Sequence, residues 1–242
     1  MQTQLKVKAE PEIERNSGNL AVAGAREEWA ASNVEVSLNW SRPVQVAVKR
    51  AIDLAGSAVL LMVLSPILLL AALAVKITSR GPVLYRWHVV GRGGLPFTGY
   101  KFRSMVVNAD GMRSSLLAKN EMSGPVFKLK NDPRVTGVGR WLRKFSIDEL
   151  PQLWSVFRGN MSLVGPRPPL EAEYRLFTPH QKLKMSVKPG ITCLWQVLGR
   201  NDIADFEEWV RLDLEYIARW SLALDFKILL LTIPCVVLGK GR

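Results

Sequence analysis

Two adjacent acids, Asp148 and Glu149, stand in the segment RKFSIDELPQL, just after the basic side chains Arg140, Arg143 and Lys144. Nearby cations favour the ionised form of a carboxylic acid. An ionised carboxylate in such a setting can act as a nucleophile or as a metal ligand. The pair is therefore a candidate catalytic site.

The same acids also fit a purely structural interpretation, because Ser146 and Glu149 have the S-x-x-E spacing of a helix capping box. Pro151 argues against a helix capped by Ser146, since it would be the fifth helical residue and would remove a ladder hydrogen bond. A helix that begins at Asp148 instead puts Pro151 in the first turn and Asp148 at the positive helix end. From the local sequence, catalysis and capping both stay open.

Four basic residues beside turn-forming residues are candidates for binding phosphate. Lys101 and Arg103 end a β-prone segment, Arg143 precedes the acids, and Arg167 is presented by a Gly-Pro-Arg-Pro turn. A guanidinium suits bidentate contact with phosphate, whereas a lysine supplies a point charge. Each residue alone is more typical of a solvated surface, but the four together, with the acid pair between Arg143 and Arg167, predict a site for a phosphorylated substrate.

An uncharged apolar run over residues 54–75 is long enough to cross a membrane, which takes about 20 residues. Basic residues flank the run on both sides, and cytoplasmic flanks are the ones that collect Lys and Arg. Pro66 interrupts the run because it has no N–H to donate, and Ser65 can bond a carbonyl left at the break. We therefore predict a helix–break–helix that enters one leaflet and returns to the same side. A kinked spanning helix is the alternative.

The chain has 242 residues and a net charge of +12, and this charge is unevenly distributed. Residues 1–40 carry four basic and six acidic side chains, 41–109 carry nine basic and one acidic, and 110–242 carry twenty basic and fourteen acidic. The concentration around the apolar run predicts contact with anionic membrane lipids. Because no zinc-ligand spacing and no aromatic RNA-binding signature is present, no nucleic-acid partner is expected. The single long apolar run argues against a multi-span transporter.

The fold class expected from these patterns is α+β and mainly helical. Residues 1–40 are polar and predict a disordered leader, and 41–79 form the basic entry and the re-entrant helix pair. We expect residues 80–242 to form a compact cytosolic domain that carries the candidate catalytic site, with a small β-hairpin and interfacial amphipathic helices. Two distant cysteines give no disulfide framework, as is typical of a protein that faces the cytosol.

Inside the predicted catalytic domain, β-prone residues at 83–90 and 95–102 flank a glycine-rich turn and predict a hairpin. A helix is expected around 108–119. Apolar residues at helical spacing predict an amphipathic helix over 204–219. The apolar tail at 228–238, interrupted by a proline, is too short to span and predicts an interfacial or buried segment.

Several motifs in order give the chain a specific family resemblance: KR-x-x-D before the apolar run, YKFRSM, RKFSIDELPQLWSV, GNMSLVGPRPP and KPGITCLWQVLGRND. From Lys49 to the C-terminus the chain resembles the bacterial sugar transferases, the monotopic polyprenyl-phosphate phosphoglycosyl transferases. The short form is similar to exopolysaccharide-initiating members that act as undecaprenyl-phosphate galactose phosphotransferases.

This resemblance implies a reaction and a location. Family members transfer a sugar-1-phosphate from a UDP-sugar to undecaprenyl phosphate and release UMP through a phosphosugar-aspartyl intermediate. For this chain, galactose is the first expectation and glucose the second. The resemblance also implies a monotopic protein on the cytoplasmic face of the inner membrane that starts exopolysaccharide repeat units and supplies downstream glycosyltransferases.

The resemblance assigns roles by motif. Asp148 matches the nucleophile that also contacts Mg²⁺, and Glu149 matches the second acid. Arg143 and Arg167 match phosphate-contacting arginines, and Ser65-Pro66 matches the break of the re-entrant helix. In one departure, this chain has Trp87-His88-Val89 where many relatives carry a Gln-x-Arg pattern.

Two other functions compete with this expectation. A nucleotide-sugar glycosyltransferase that releases UDP commonly holds its metal with an Asp-x-Asp motif, and the nearest match is Asp213-Leu214-Glu215. In the predicted amphipathic helix those acids are expected at the solvated surface. A non-catalytic basic membrane scaffold is the second competitor, and it predicts that Asp148 and Glu149 are expendable.

Overall fold

The computed structural model describes residues 5–6, 35–36, 43–199 and 203–239. Two short strands, β1 (Leu5–Lys6) and β2 (Glu35–Val36), pair antiparallel. The rest of the predicted leader at 1–40 lies outside the described residues, so its expected disorder stays a prediction.

The apolar run folds as a helix pair, α1 (Pro43–Val63) and α2 (Ser65–Thr78), which is bent by 61° at the break between them. In a continuous helix, the residue at 66 would donate to the carbonyl of Met62, and Pro66 has no N–H for this bond. The Ser65 hydroxyl donates to that carbonyl instead, at 2.7 Å. The predicted break is thus confirmed. In the described part of the chain, no single helix is long and apolar enough to cross a membrane, and only this pair has the required length and composition.

The predicted hairpin is confirmed with strands one residue shorter at their starts. Strand β3 (Leu84–Val90) pairs antiparallel with β4 (Pro96–Phe102), and Arg92–Gly94 form a 3₁₀ turn between them. The helix expected around 108–119 is shorter than predicted. It consists of α3 (Arg113–Leu116) and a 3₁₀ turn at Leu117–Lys119.

The remaining elements are mostly short helices, which makes the described fold mainly helical with small two-stranded sheets. In chain order they are α4 (Gly137–Lys144), a 3₁₀ helix (Ile147–Gln152), α5 (Leu153–Phe157), β5 (Ser162–Val164), α6 (Glu171–Arg175), α7 (Pro179–Lys182), a 3₁₀ turn (Leu183–Ser186), β6 (Gly190–Thr192), α8 (Leu194–Gly199), α9 (Phe206–Ala218) and α10 (Leu222–Val237). Strands β5 and β6 pair in parallel, a feature that the sequence patterns did not predict.

Helix α9 confirms the predicted amphipathic helix but corrects the prediction for its acids. Asp213 and Glu215 were expected at the solvated surface, and both are buried, with exposed fractions of 0% and 1%. Asp213 pairs with Lys184 at 2.5 Å, and Glu215 pairs with Arg211 at 3.1 Å. The prediction failed because neighbouring elements cover α9 on most sides, so that its acids are buried with matching cations.

The C-terminal helix also differs from expectation, because Pro234 does not interrupt it. Helix α10 runs from Leu222 to Val237 with Pro234 inside. The proline lies in the last turn, where its missing N–H removes only the bond to the carbonyl of Leu230, a residue that is half exposed.

Helix α1 is fixed to the rest of the protein by a buried charged network. The Lys49 ammonium donates to Asp225 of α10 at 2.6 Å and to the Val164 carbonyl of β5 at 3.0 Å. Asp225 also accepts from the Tyr216 hydroxyl at 2.7 Å and from the Trp220 indole at 3.2 Å. Every charge in the network is compensated, as burial requires.

Lys49 belongs to the KR-x-x-D motif, and the other two named residues of this motif, Arg50 and Asp53, also attach α1 to the rest of the protein. Arg50 donates to the carbonyls of Val156 and Phe157, at 2.7 and 2.8 Å, and so caps the C-terminal end of α5. Asp53 accepts from the backbone N–H of Leu163 at 2.9 Å. The KR-x-x-D motif therefore attaches α1 to α5, β5 and α10.

Removal of the Lys49 ammonium should destabilise the protein strongly, because Asp225 would stay buried without its cation. We expect Lys49→Met to lower the free energy of unfolding by about 3–5 kcal/mol, as measured by denaturant unfolding in detergent. Lys76→Met is the matched control, since Lys76 is exposed on α2, and it should unfold like the wild type. Equal stability of the two variants would contradict the role given to the buried network.

Candidate active site

The acid pair lies on the 3₁₀ helix Ile147–Gln152, and Ser146 precedes it in the left-handed region, at φ 56°. The Ser146 hydroxyl makes no capping bond there, and the Glu149 N–H donates to the Ser146 backbone carbonyl at 3.2 Å. The capping-box interpretation is therefore wrong. The expected helix start at Asp148 is also only approximate, because the turn begins at Ile147 and the α-helix begins at Leu153.

Apolar neighbours hold this turn in place on two sides. Ile147 packs against a buried cluster that includes Ala71 and Val75 of α2, and Leu150 packs against the main core. Asp148 between them is buried, with an exposed fraction of 9%. The acid pair is therefore positioned directly beside the bent helix pair.

Lys101 of β4 contacts the second acid. Its ammonium nitrogen lies 3.0 Å from Oε1 of Glu149, and the two side chains are 17% and 23% exposed. The same nitrogen lies 3.8 Å from the centre of the Trp87 ring. The structure thus brings two predicted site residues together and adds Trp87, which no motif assigned to the site.

Arg143 is on α4, the helix that precedes the acid pair. Thr136 caps this helix by accepting from the Gly139 N–H at 3.0 Å. The Nε of Arg143 donates to the Ser104 hydroxyl at 2.8 Å. A side chain at position 139 would overlap the Ser104 carbonyl, so the glycine allows α4 to approach this segment. Ser104 follows Arg103 in the YKFRSM motif, but no spacing rule identifies it as a partner of Arg143.

Arg103 is directed to the end of α2. It is 6% exposed, and its two terminal nitrogens donate to the backbone carbonyls of Ser79 and Arg80 and to the Ser79 hydroxyl. These contacts favour a structural role that ties α2 to β4. A phosphate contact by Arg103 stays an untested prediction.

Arg167 lies in a different setting, on the turn between β5 and α6. Its guanidinium is 5.7 Å from the centre of the Trp209 ring on α9. Burial raises the pKa of the nearby Asp213, while the charges of Lys184 and Arg167 oppose this shift. The backbone after Arg167 returns to the hairpin, where the Pro169 carbonyl accepts from the Val90 N–H at 3.0 Å.

The Asp148 carboxylate is compatible with the predicted magnesium ion if that ion is also bound by substrate phosphates. Among the described residues, no group of three or more His, Cys, Asp or Glu side chains is arranged to hold a metal ion. Mg²⁺ is usually held by one or two carboxylates together with substrate phosphates and water. The Asp148 carboxylate supplies an oxygen ligand of this kind, so the predicted role is compatible with the residues present.

The chain matches the family model described as bacterial sugar transferase over residues 44–239. It is 43% identical over 210 residues to the galactosyl transferase CpsE of Streptococcus agalactiae, covering 87% of this chain and 46% of that protein. It is 40% identical over 204 residues to the exopolysaccharide production protein ExoY of Rhizobium meliloti, covering 83% and 90%. It is 41% identical over 196 residues to the UDP-glucose:undecaprenyl-phosphate glucose-1-phosphate transferase of Caulobacter vibrioides, covering 78% and 69%.

These matches confirm the family that the motifs indicated. The chain spans about half the length of several curated relatives that it matches, including CpsE at 46%. ExoY, by contrast, is matched over 90% of its length.

The contacts of the two arginines predict different outcomes for their removal. Arg143→Ala should lower kcat/KM for a UDP-sugar by about tenfold to 150-fold, the equivalent of about 1.5–3 kcal/mol for a charge-assisted contact. Arg143→Lys should be impaired less, because it keeps the charge but loses the planar fork. Arg103→Ala should instead lower the melting temperature, since it removes the hydrogen bonds that tie the end of α2 to β4.

Arg140→Ala is the matched control on the same helix, because Arg140 is exposed. Kinetic assays and thermal unfolding of the four variants separate the two roles. An Arg143→Ala protein that melts early and loses activity only in proportion would show that Arg143 stabilises the fold instead.

Proposed function

Because this chain belongs to the bacterial sugar transferase family, we propose that it transfers a hexose-1-phosphate from a UDP-sugar to undecaprenyl phosphate and releases UMP. Galactose is the favoured sugar and glucose the next, and relatives named for each of them match the chain at similar identity. The match to an exopolysaccharide production protein supports a role in the first step of repeat-unit assembly.

One observation carries this proposal: the turn with Asp148 and Glu149 packs, through Ile147, against the apolar helix pair. A soluble UDP-sugar and a membrane-bound lipid phosphate can meet only near the membrane surface. A carboxylate beside a helix pair that enters the membrane would be accessible to both substrates. Lys101 and Arg143 add positive charge beside it for the phosphates.

In the proposed reaction, a carboxylate oxygen of Asp148 attacks the β-phosphorus of the UDP-sugar. The bond between this phosphorus and the oxygen of UMP breaks, and UMP leaves with the electron pair. An oxygen of undecaprenyl phosphate then attacks the same phosphorus, and the bond to Asp148 breaks. The carboxylate is restored, and the product is undecaprenyl diphosphate-sugar. No net proton transfer is required in either step.

Asp148 and the substrate phosphates would together hold Mg²⁺, which would offset pyrophosphate charge when bound. Arg143 is placed to contribute a planar donor to phosphate, and Arg167 is the second candidate for that contact. Glu149, held by Lys101, is positioned to orient Asp148 or to assist the second attack.

We further propose that the helix pair re-enters the cytoplasmic leaflet of the inner membrane. Both ends of the pair are attached to the rest of the protein. Lys49, near the start of α1, binds Asp225 of α10, and Ser79, at the end of α2, accepts from Arg103. This arrangement supports a return to the side of entry. Large apolar side chains around the bend are exposed and suit a lipid environment, among them Val59, Met62, Val63, Leu69, Leu70 and Leu73. The basic flanks would meet anionic lipids.

The alternative function as a glycosyltransferase that releases UDP depends on Asp213-Leu214-Glu215 as a metal-binding motif, and the structure does not favour that role. Asp213 and Glu215 are buried and paired with Lys184 and Arg211, which leaves them unsuited to hold a metal for a nucleotide-sugar. The basic-scaffold alternative requires an expendable acid pair, and the test below decides it.

Purified protein should release UMP, and not UDP, when incubated with undecaprenyl phosphate and one member of a panel of UDP-sugars. Asp148→Asn should lower turnover by about 10³-fold or more, as expected for the loss of a nucleophile. Glu171→Gln serves as a control, because its carboxylate lies on α6 and is paired with Arg175. UDP as the product, or retention of more than about a tenth of the activity by Asp148→Asn, would contradict the proposal.

A further inference from the structure

The ammonium group of Lys101 is held between an aromatic ring and a carboxylate. It lies 3.8 Å from the centre of the Trp87 ring and 3.0 Å from Oε1 of Glu149. Trp87 itself is 5% exposed, although its strand borders the surface. The departure from the Gln-x-Arg pattern thus places a buried indole against a side chain that touches the second acid.

The hairpin register explains how Trp87 reaches Lys101. Trp87 is directly opposite Gly99, and opposed residues of an antiparallel pair lie on the same face. The indole ring lies close to position 99, where a Cβ would be in van der Waals contact with it at 3.4 Å. Lys101 is two residues further along β4 and therefore on that same face. The ring and the ammonium group meet as a diagonal pair.

A lysine on a flexible four-carbon stem needs more than one contact to hold a single position. The face of tryptophan is the most favourable aromatic partner for a cation, and the contact gains strength when it is shielded from water. Here the indole supports the ammonium group from one side while Glu149 binds it from another. A fixed Lys101 in turn fixes the Glu149 carboxylate, which is next to Asp148 in the chain.

We propose that Trp87 is a positioning residue, whose ring holds Lys101 in place and through it orients Glu149 beside the nucleophile. The consequence for catalysis rests on the proposed function, whereas the contact itself does not. Trp87 contacts the ammonium group of Lys101, which in turn contacts Glu149. Its effect on the reaction should therefore depend on Lys101.

The contact can be tested without activity, through the rate at which an amine-reactive acylating reagent modifies Lys101, followed by peptide mass spectrometry. In Trp87→Leu the Lys101 rate should rise by about fivefold or more, since the ammonium group loses its aromatic support. Trp87→Phe should keep a rate near that of the wild type. Lys119, which is exposed, is the internal control, and its rate should be equal in all variants.

The kinetic arm measures whether Trp87 and Lys101 act together. Trp87→Leu should lower kcat/KM for the UDP-sugar by about fivefold to thirtyfold, and Trp87→Phe should recover most of this loss. In a Lys101→Met background, Trp87→Leu should add little further loss, because the contact is already absent. His88→Ala, an exposed neighbour on the same strand, should behave like the wild type.

The two arms separate failure of this inference from failure of the proposed function. An unchanged Lys101 acylation rate in Trp87→Leu would overturn the inference whatever the activity. Fully additive kinetic losses for Trp87→Leu and Lys101→Met would also overturn it, since independent residues add. If the wild type released no UMP from any UDP-sugar while the acylation rates changed as expected, the contact would stand and the proposed function would fail.

Discussion

Attachment of both ends of the bent helix pair to one body is the constraint on which the rest of this structure depends. Lys49, Arg50 and Asp53 bind α1 to α5, β5 and α10, and Arg103 binds the end of α2 to β4. Buried charges without partners are costly, so these contacts permit few alternative placements of the pair. Between these two attachments the pair is bent by 61° at Ser65-Pro66.

The attachment of the helix pair also determines where the candidate active site lies. The side chain of Ile147 packs on the cluster that contains residues of α2, and Asp148 follows it directly. Glu149 is held by Lys101 from the hairpin, and Arg143 reaches Ser104 on the segment that follows it. In the proposed reaction, the nucleophile is therefore held at a fixed depth relative to the apolar pair, which is what a lipid-phosphate acceptor requires.

The sequence predicted the elements whose signals are local. Ser65-Pro66 marks a break because a missing N–H and a nearby hydroxyl are properties of adjacent residues, and the hairpin is marked by glycines between β-prone segments. The burial of Asp213 could not be predicted, because its cation Lys184 is on another element and no periodicity connects the two. The parallel pairing of β5 with β6 was missed for the same reason, since strands of three residues carry no pattern of their own.

The candidate site likewise has residues that local motifs predicted and contacts that they did not predict. Motifs indicated Asp148, Glu149, Lys101 and Arg143 as candidates, but no local pattern indicated that Arg103 is directed to the end of α2. Trp87 was visible only as a departure from a family pattern, and its contact with Lys101 depends on the register with Gly99. Interactions across a sheet depend on which residues are opposed, and one sequence does not specify that opposition.

The most direct test of the re-entrant arrangement is cysteine labelling in oriented membrane vesicles, in a Cys235→Ser background. Val44→Cys and Pro82→Cys place one thiol in the first turn of α1 and one after the end of α2, both at exposed positions. If the pair re-enters, both thiols should react with a membrane-impermeant reagent from the cytoplasmic side alone. Labelling of either thiol from the periplasmic side would show that the pair crosses the membrane and would contradict the account.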